Sequence, residues 1–154
     1  MSLLDLLGEK ISNYKPKGRV AIIDEYPIIY HILSPDVFSD HRFPPIANHF
    51  AGKCGYNSFY VSEAIPEKFR LPILAHEFYE YREPYDTSQR RHRHHEAIKH
   101  EVRFARELGI LPEYLEYRLE LYRRLIKYCE SKGENATNEK EDFRIFKAIR
   151  RRMC

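Results

Sequence analysis

The first part of the chain carries short β-branched and aromatic runs, and the rest carries apolar positions at helical spacing. Arg19-Val-Ala-Ile-Ile-Asp24 follows Pro16 and Gly18 and predicts a buried strand entered from a turn. In residues 26–50, Ile28, Ile29, Ile32 and Leu33 fit strand or helix equally. Pro35, Pro44 and Pro45 then interrupt the pattern, so irregular backbone is expected. Gly52-Lys-Cys-Gly55 reads as a turn before a strand over Tyr56-Asn-Ser-Phe-Tyr-Val-Ser62.

After Pro66 the period becomes helical through about Arg82, with Pro72 expected near the first turn and Pro84 as the stop. A second helix is predicted from Asp86 to Ser88, where Asp86 and Gln89 have capping-box spacing, to Leu108, with Gly109 as its C-cap. Pro112 opens a third helix that Gly133 ends. A fourth starts at Asn138 and carries Phe143, Phe146, Ile149 and Met153 on one side. The expected fold class is α+β, a small strand layer followed by four helices.

A chain of 154 residues with 43% hydrophobic and 32% charged side chains fits one compact domain and excludes a polyelectrolyte-like disordered chain. No apolar run approaches the roughly twenty residues of a membrane span, so no membrane partner is expected. The segment MSLLDLLGEK, with Asp5 and no basic residue before its leucines, reads as an amphipathic turn or helix rather than a signal peptide. Cys54, Cys129 and Cys154 are odd in number and widely spaced. A disulfide framework is therefore not expected, and cytoplasmic residence is the default.

The net charge of +3 is unevenly placed: residues 139–154 hold six bases against three acids, which accounts for all of it. The expected organisation is an α+β domain over 1–137 and a basic carboxy-terminal helix or tail over 138–154 packed on it.

Five of the eight histidines fall between positions 76 and 100. On a helical wheel Glu80 stands about 40 degrees from His76, and Glu77 about 100 degrees. His76 and Glu80 can thus reach one metal from adjacent turns, while Glu77 lies to the side, placed to accept a proton from an activated water. Phe69, Ile73, Leu74, Ala75, Phe78, Tyr79 and Tyr81 make this helix apolar at most azimuths, so its buried charges need partners. The next helix presents His94, Ala97, Ile98, Glu101, Ala105 and Leu108 on one face. His94 and Glu101 are about 10.5 Å apart along an ideal axis, so either both side chains converge on the ion or one stands behind the other. The candidate metal ligands are His76, Glu80, His94 and Glu101, with Glu77 as the catalytic base. Tyr79 and Tyr85 are candidate oxyanion donors.

The pattern His76-Glu77-Phe78-Tyr79-Glu80, then His94-His95-Glu96-Ala97-Ile98-Lys99-His100-Glu101, resembles that of small prokaryotic and phage zincin-like proteins with H-E-x-x-E followed by H-x-x-A-x-x-x-E. The resemblance spans about residues 19–110 and implies a minimal zincin-like fold, a divalent-metal site binding Zn2+ or another divalent transition metal, and peptidase-like hydrolysis of a peptide or protein substrate. Glu80 stands where ordinary gluzincins have a second histidine.

Three other readings compete. A non-catalytic, metal-stabilised interaction domain would use the third helix, with Leu115, Leu119, Tyr122, Leu125 and Cys129, for packing. A nucleic-acid-binding protein would use Arg90, Arg91, Arg93 and Arg150 to Arg152 on phosphates, but most tyrosines are interspersed with acids and no recognised motif occurs. A carboxylate-bridged dinuclear centre has ligand types in Glu77, Glu80 and Glu101 but lacks the paired E-x-x-H elements of a four-helix bundle.

Overall fold

The computed structural model describes residues 18–39, 49–82 and 87–153. The amino-terminal MSLLDLLGEK segment, Pro44 and Pro45, the Pro84 stop, Tyr85, the Asp86 cap and Cys154 lie outside the described residues. The chain has an α+β fold, a four-stranded sheet followed by four helices, and divides into two compact units at Glu107/Leu108. The expected 137/138 boundary lies inside the second unit.

In the first unit, β1 (Gly18–Ile23) and β2 (Tyr26–Leu33) form an antiparallel hairpin joined by Asp24 and Glu25. A short 3-10 turn (Pro35–Phe38) follows, then β3 (Ala51–Gly55) and β4 (Ser58–Ser62), which pair antiparallel. The order is β1-β2-β4-β3, with β2 and β4 parallel. For one of these strands the structure decides between two readings, and another departs from the sequence expectation. Residues 26–33, which fit strand or helix locally, are a regular strand because β2 is hydrogen-bonded on both sides. Residues 51–55 are a strand rather than a turn, with the ladder shifting between Lys53 and Gly55. The turn lies one step later, where Asn57 takes a positive φ of 51 degrees.

Ile23, Ile28, Phe59 and Val61 are buried and share one sheet face by register. Helix α1 (Glu67–Glu80) packs against β1, β3 and β4 on that face, where Tyr26 meets Phe78 with ring centroids 5.7 Å apart. The opposite face carries a smaller cluster of Leu33, Val37, Phe38 and Tyr60. Arg70 ties the start of α1 to the preceding turn by donating to the carbonyls of Ile65 and Glu63, both at 3.0 Å. Because α1 begins at Glu67, Pro72 lies in its second turn rather than its first, removing one backbone donor from the ladder. After a 3-10 turn (Thr87–Gln89), α2 (Arg90–Glu107) packs along α1. Ala97 is fully buried, as a close helix approach requires. Leu108, expected on the packed face, falls beyond the helix end and is exposed, with Gly109 at φ 73 degrees in the expected C-cap.

The second unit is an antiparallel pair, α3 (Leu111–Ser131) and α4 (Thr137–Arg152). Glu116 meets Arg150 at one end and Glu130 meets Lys140 at the other. Between them Tyr122 packs on Phe146 and donates to the buried Asp142 at 3.2 Å. Gly133 ends α3 at φ 69 degrees, as its position predicts, whereas Met153 is exposed rather than part of the packed stripe. No helix among the described residues is long and apolar enough to cross a membrane.

Candidate metal centre

Helix α1 delivers His76 and Glu80 one turn apart, and α2 delivers His94 and Glu101 across the α1–α2 contact. Leu74, Ala75, Phe78, Ala97 and Ile98 around them are buried, as are His76, Glu80 and Glu101 themselves. Glu80 uses its two oxygens on two rings: Oε2 is 2.8 Å from His76 Nε2 and Oε1 is 3.2 Å from His94 Nδ1. The two imidazoles meet edge to face with centroids 4.9 Å apart and an interplanar angle of 76 degrees. One donor atom from each of His76, Glu80 and His94 lies within 4.8 Å of the other two. This is the one such convergence of three ligand-type side chains among the described residues.

Glu101 occupies a different position. It is 0% exposed, and its Oε2 lies 3.1 Å from Nδ1 of His76, the ring nitrogen turned away from Glu80. The contact has ion-pair distance without hydrogen-bond alignment of the N–H. Of the four ligands expected from sequence, His76, Glu80 and His94 converge on one another, and Glu101 lies against the other ring nitrogen of His76.

The electrostatics follow from burial and pairing. Desolvation alone would make the His76 imidazolium less stable, but the Glu101 charge and the contacts with Glu101 and Glu80 outweigh it and hold the group up to about 10. Burial alone would likewise raise the Glu80 carboxyl, whereas the two histidines hold it well below the usual carboxylate range. The pairing thus favours a protonated His76 between the buried Glu80 and Glu101 carboxylates. Two imidazole nitrogens and a carboxylate are also a donor set that zinc and its neighbours accept, so these residues fit a divalent transition metal.

Glu77 is half-buried, and its charge acts on both His76 and the buried Tyr60 of β4. Tyr79, expected as a candidate oxyanion donor, gives its hydroxyl hydrogen bond to Asp24 instead. Two of the arginines expected to meet phosphates have protein partners: Arg93 donates to the Arg82 carbonyl at 2.7 Å, and Arg91 lies 3.1 Å from His95 Nε2. Asp24 is the residue of consequence that the sequence reading missed. Its signal is the two-residue gap between the apolar runs 19–23 and 26–33, which marks a hairpin loop.

Compared with known proteins, the chain matches no family model, no curated protein and no solved structure.

Proposed function

We propose that the first unit is a metal-dependent hydrolase in which His76, Glu80 and His94 hold one divalent ion, zinc first, and Glu77 is the general base. The observation that supports this reading is the unequal placement of two buried carboxylates. Glu80 spans the two imidazoles, while Glu101 engages the other nitrogen of His76. Structural zinc sites close with four protein ligands, whereas catalytic ones take three and keep a position for water or substrate. Two histidines and a glutamate make a set of the second kind. Glu101 then acts as the carboxylate that holds a metal-binding histidine in its ring orientation.

A bound ion would supply Lewis acidity toward a substrate carbonyl and toward water. Glu77 takes the proton that water gives up on attack and delivers it to the leaving nitrogen. Glu77 is half-buried, next to His76 in sequence, and its charge acts on the His76 ring. The peptide or protein substrate class is carried by the likeness of the two motifs to minimal zincin-like proteins.

The test is Glu77→Gln in the full chain, against a library of unstructured peptides. The variant should keep wild-type metal content and fold while cleavage falls by roughly 10²- to 10⁴-fold, because an amide cannot accept the proton. Undiminished cleavage by this variant would remove Glu77 from the mechanism. Absence of any cleavage by the zinc-loaded wild type would favour a metal-stabilised interaction domain.

A further inference from the structure

We infer that Asp24, at the tip of the β1–β2 hairpin, is a positioning residue for the metal centre. Its carboxylate clasps α1 to α2 in the register that brings His76, Glu80 and His94 together. This inference rests on the metal-binding reading above.

Asp24 and Glu25 form a two-residue hairpin loop with φ values of 47 and 75 degrees. Both central residues of such a loop need positive φ, which is why Asn-Gly and Asp-Gly dominate there. Here the second position carries a glutamate, whose β-carbon opposes that conformation. A backbone held this way persists where surrounding contacts over-determine it.

Those contacts are made by the metal-site helices. Arg103 of α2 donates through Nη1 to Asp24 Oδ1 at 3.2 Å and through Nη2 to Oδ2 at 2.5 Å, a two-pronged pair. Tyr79 of α1 donates its hydroxyl to the same Oδ2. His100 of α2 stacks on the Tyr79 ring with centroids 3.6 Å apart and planes 9 degrees from parallel, while Arg103 Nη2 lies 2.9 Å from His100 Nδ1. Tyr79 immediately precedes Glu80, and His100 immediately precedes Glu101. A slide of one helix past the other would therefore break the clasp and carry His94 and Glu101 of α2 away from Glu80 and His76 of α1.

Substitution separates the loop from the clasp. Asparagine tolerates positive φ as well as aspartate does, so Asp24→Asn preserves the turn. It leaves only one acceptor oxygen and no charge for Arg103. Arg103→Lys retains the charge but loses the fork.

The experiment titrates the full-length wild type, Asp24→Asn, Arg103→Lys and Tyr79→Phe with Co2+, reading visible absorption for affinity and geometry. Urea unfolding of the same metal-free samples is followed alongside. Asp24→Asn and Arg103→Lys are expected to keep cooperative unfolding while Co2+ affinity drops about tenfold or more and the absorption envelope changes, as for loss of a residue supporting a metal ligand. If Asp24→Asn does not fold, Arg103→Lys and Tyr79→Phe decide the matter by the same readouts. Wild-type affinity and an unchanged spectrum in the folded variants would overturn the clasp while leaving the metal reading intact. A wild type that binds no Co2+ would overturn both.

Discussion

Glu101 meets His76 at Nδ1, 3.1 Å away, and so leaves Nε2 of the same ring facing Glu80 at 2.8 Å. One imidazole thus stands between two carboxylates from two helices, and the two contacts predict different consequences of substitution. Glu80→Ala removes a proposed ligand and should abolish stoichiometric metal binding. Glu101→Gln preserves shape and should weaken binding by about 10- to 100-fold, since the ring loses the charge that orients it. Competition with a chromophoric chelator measures both. Equal affinities for the two variants would erase the distinction between them.

The metal-free protein should show a specific pH dependence. His76 is held up to about 10 from an ordinary 6.5, so folding favours its protonated form. That stabilisation is complete below about pH 6.5 and is lost as pH rises through about 10. Metal binding runs in the opposite direction, because the ion needs the neutral ring. Apparent affinity should rise about tenfold per pH unit between about pH 7 and pH 9, with one proton displaced from His76. Urea midpoints of the metal-free chain and metal titrations over the same pH range test the two signs together. A pH-independent affinity would mean that His76 is not displaced from its proton on binding.

The sheet beneath α1 makes a separate prediction. Gly52 pairs with Tyr60 across β3 and β4, and a β-carbon at 52 would lie 2.8 Å from the Tyr60 hydroxyl and 2.9 and 3.0 Å from two ring carbons. Gly52→Ala should destabilise the fold by about 1–3 kcal/mol. Adding Tyr60→Phe should rescue little, because the ring carbons remain in place, whereas Tyr60→Leu should rescue more. Chemical denaturation of the single and double variants reads this directly.

These relationships were unequally legible in the sequence. The His76–Glu80 pair was readable because helical spacing alone puts positions i and i+4 on one face, and Pro112, Gly109 and Gly133 marked helix ends by backbone rules that hold locally. Glu101 reads in the sequence as a candidate metal ligand, but its side of His76 depends on how α2 docks on α1, which no spacing within α2 determines. Strands β2 and β3 were hidden for a related reason. Ile28 to Leu33 fits two periods until β4 pairs with it, and Gly52 looks like a turn residue until Tyr60 is known to lie against it. Asp24 looked like the end of a strand, since its importance comes from Tyr79 and Arg103, distant residues that the hairpin meets only in the folded chain.

Zinc stoichiometry is the most direct test of the proposed centre. The full-length wild type and a His76→Ala/Glu80→Ala variant would be stripped with chelator, reloaded with Zn2+, dialysed and assayed for metal by atomic emission, with circular dichroism confirming the fold. One zinc per wild-type chain and close to none in the folded double variant is the predicted result. Equal zinc in both, or none in either, would contradict a metal centre at His76, Glu80 and His94.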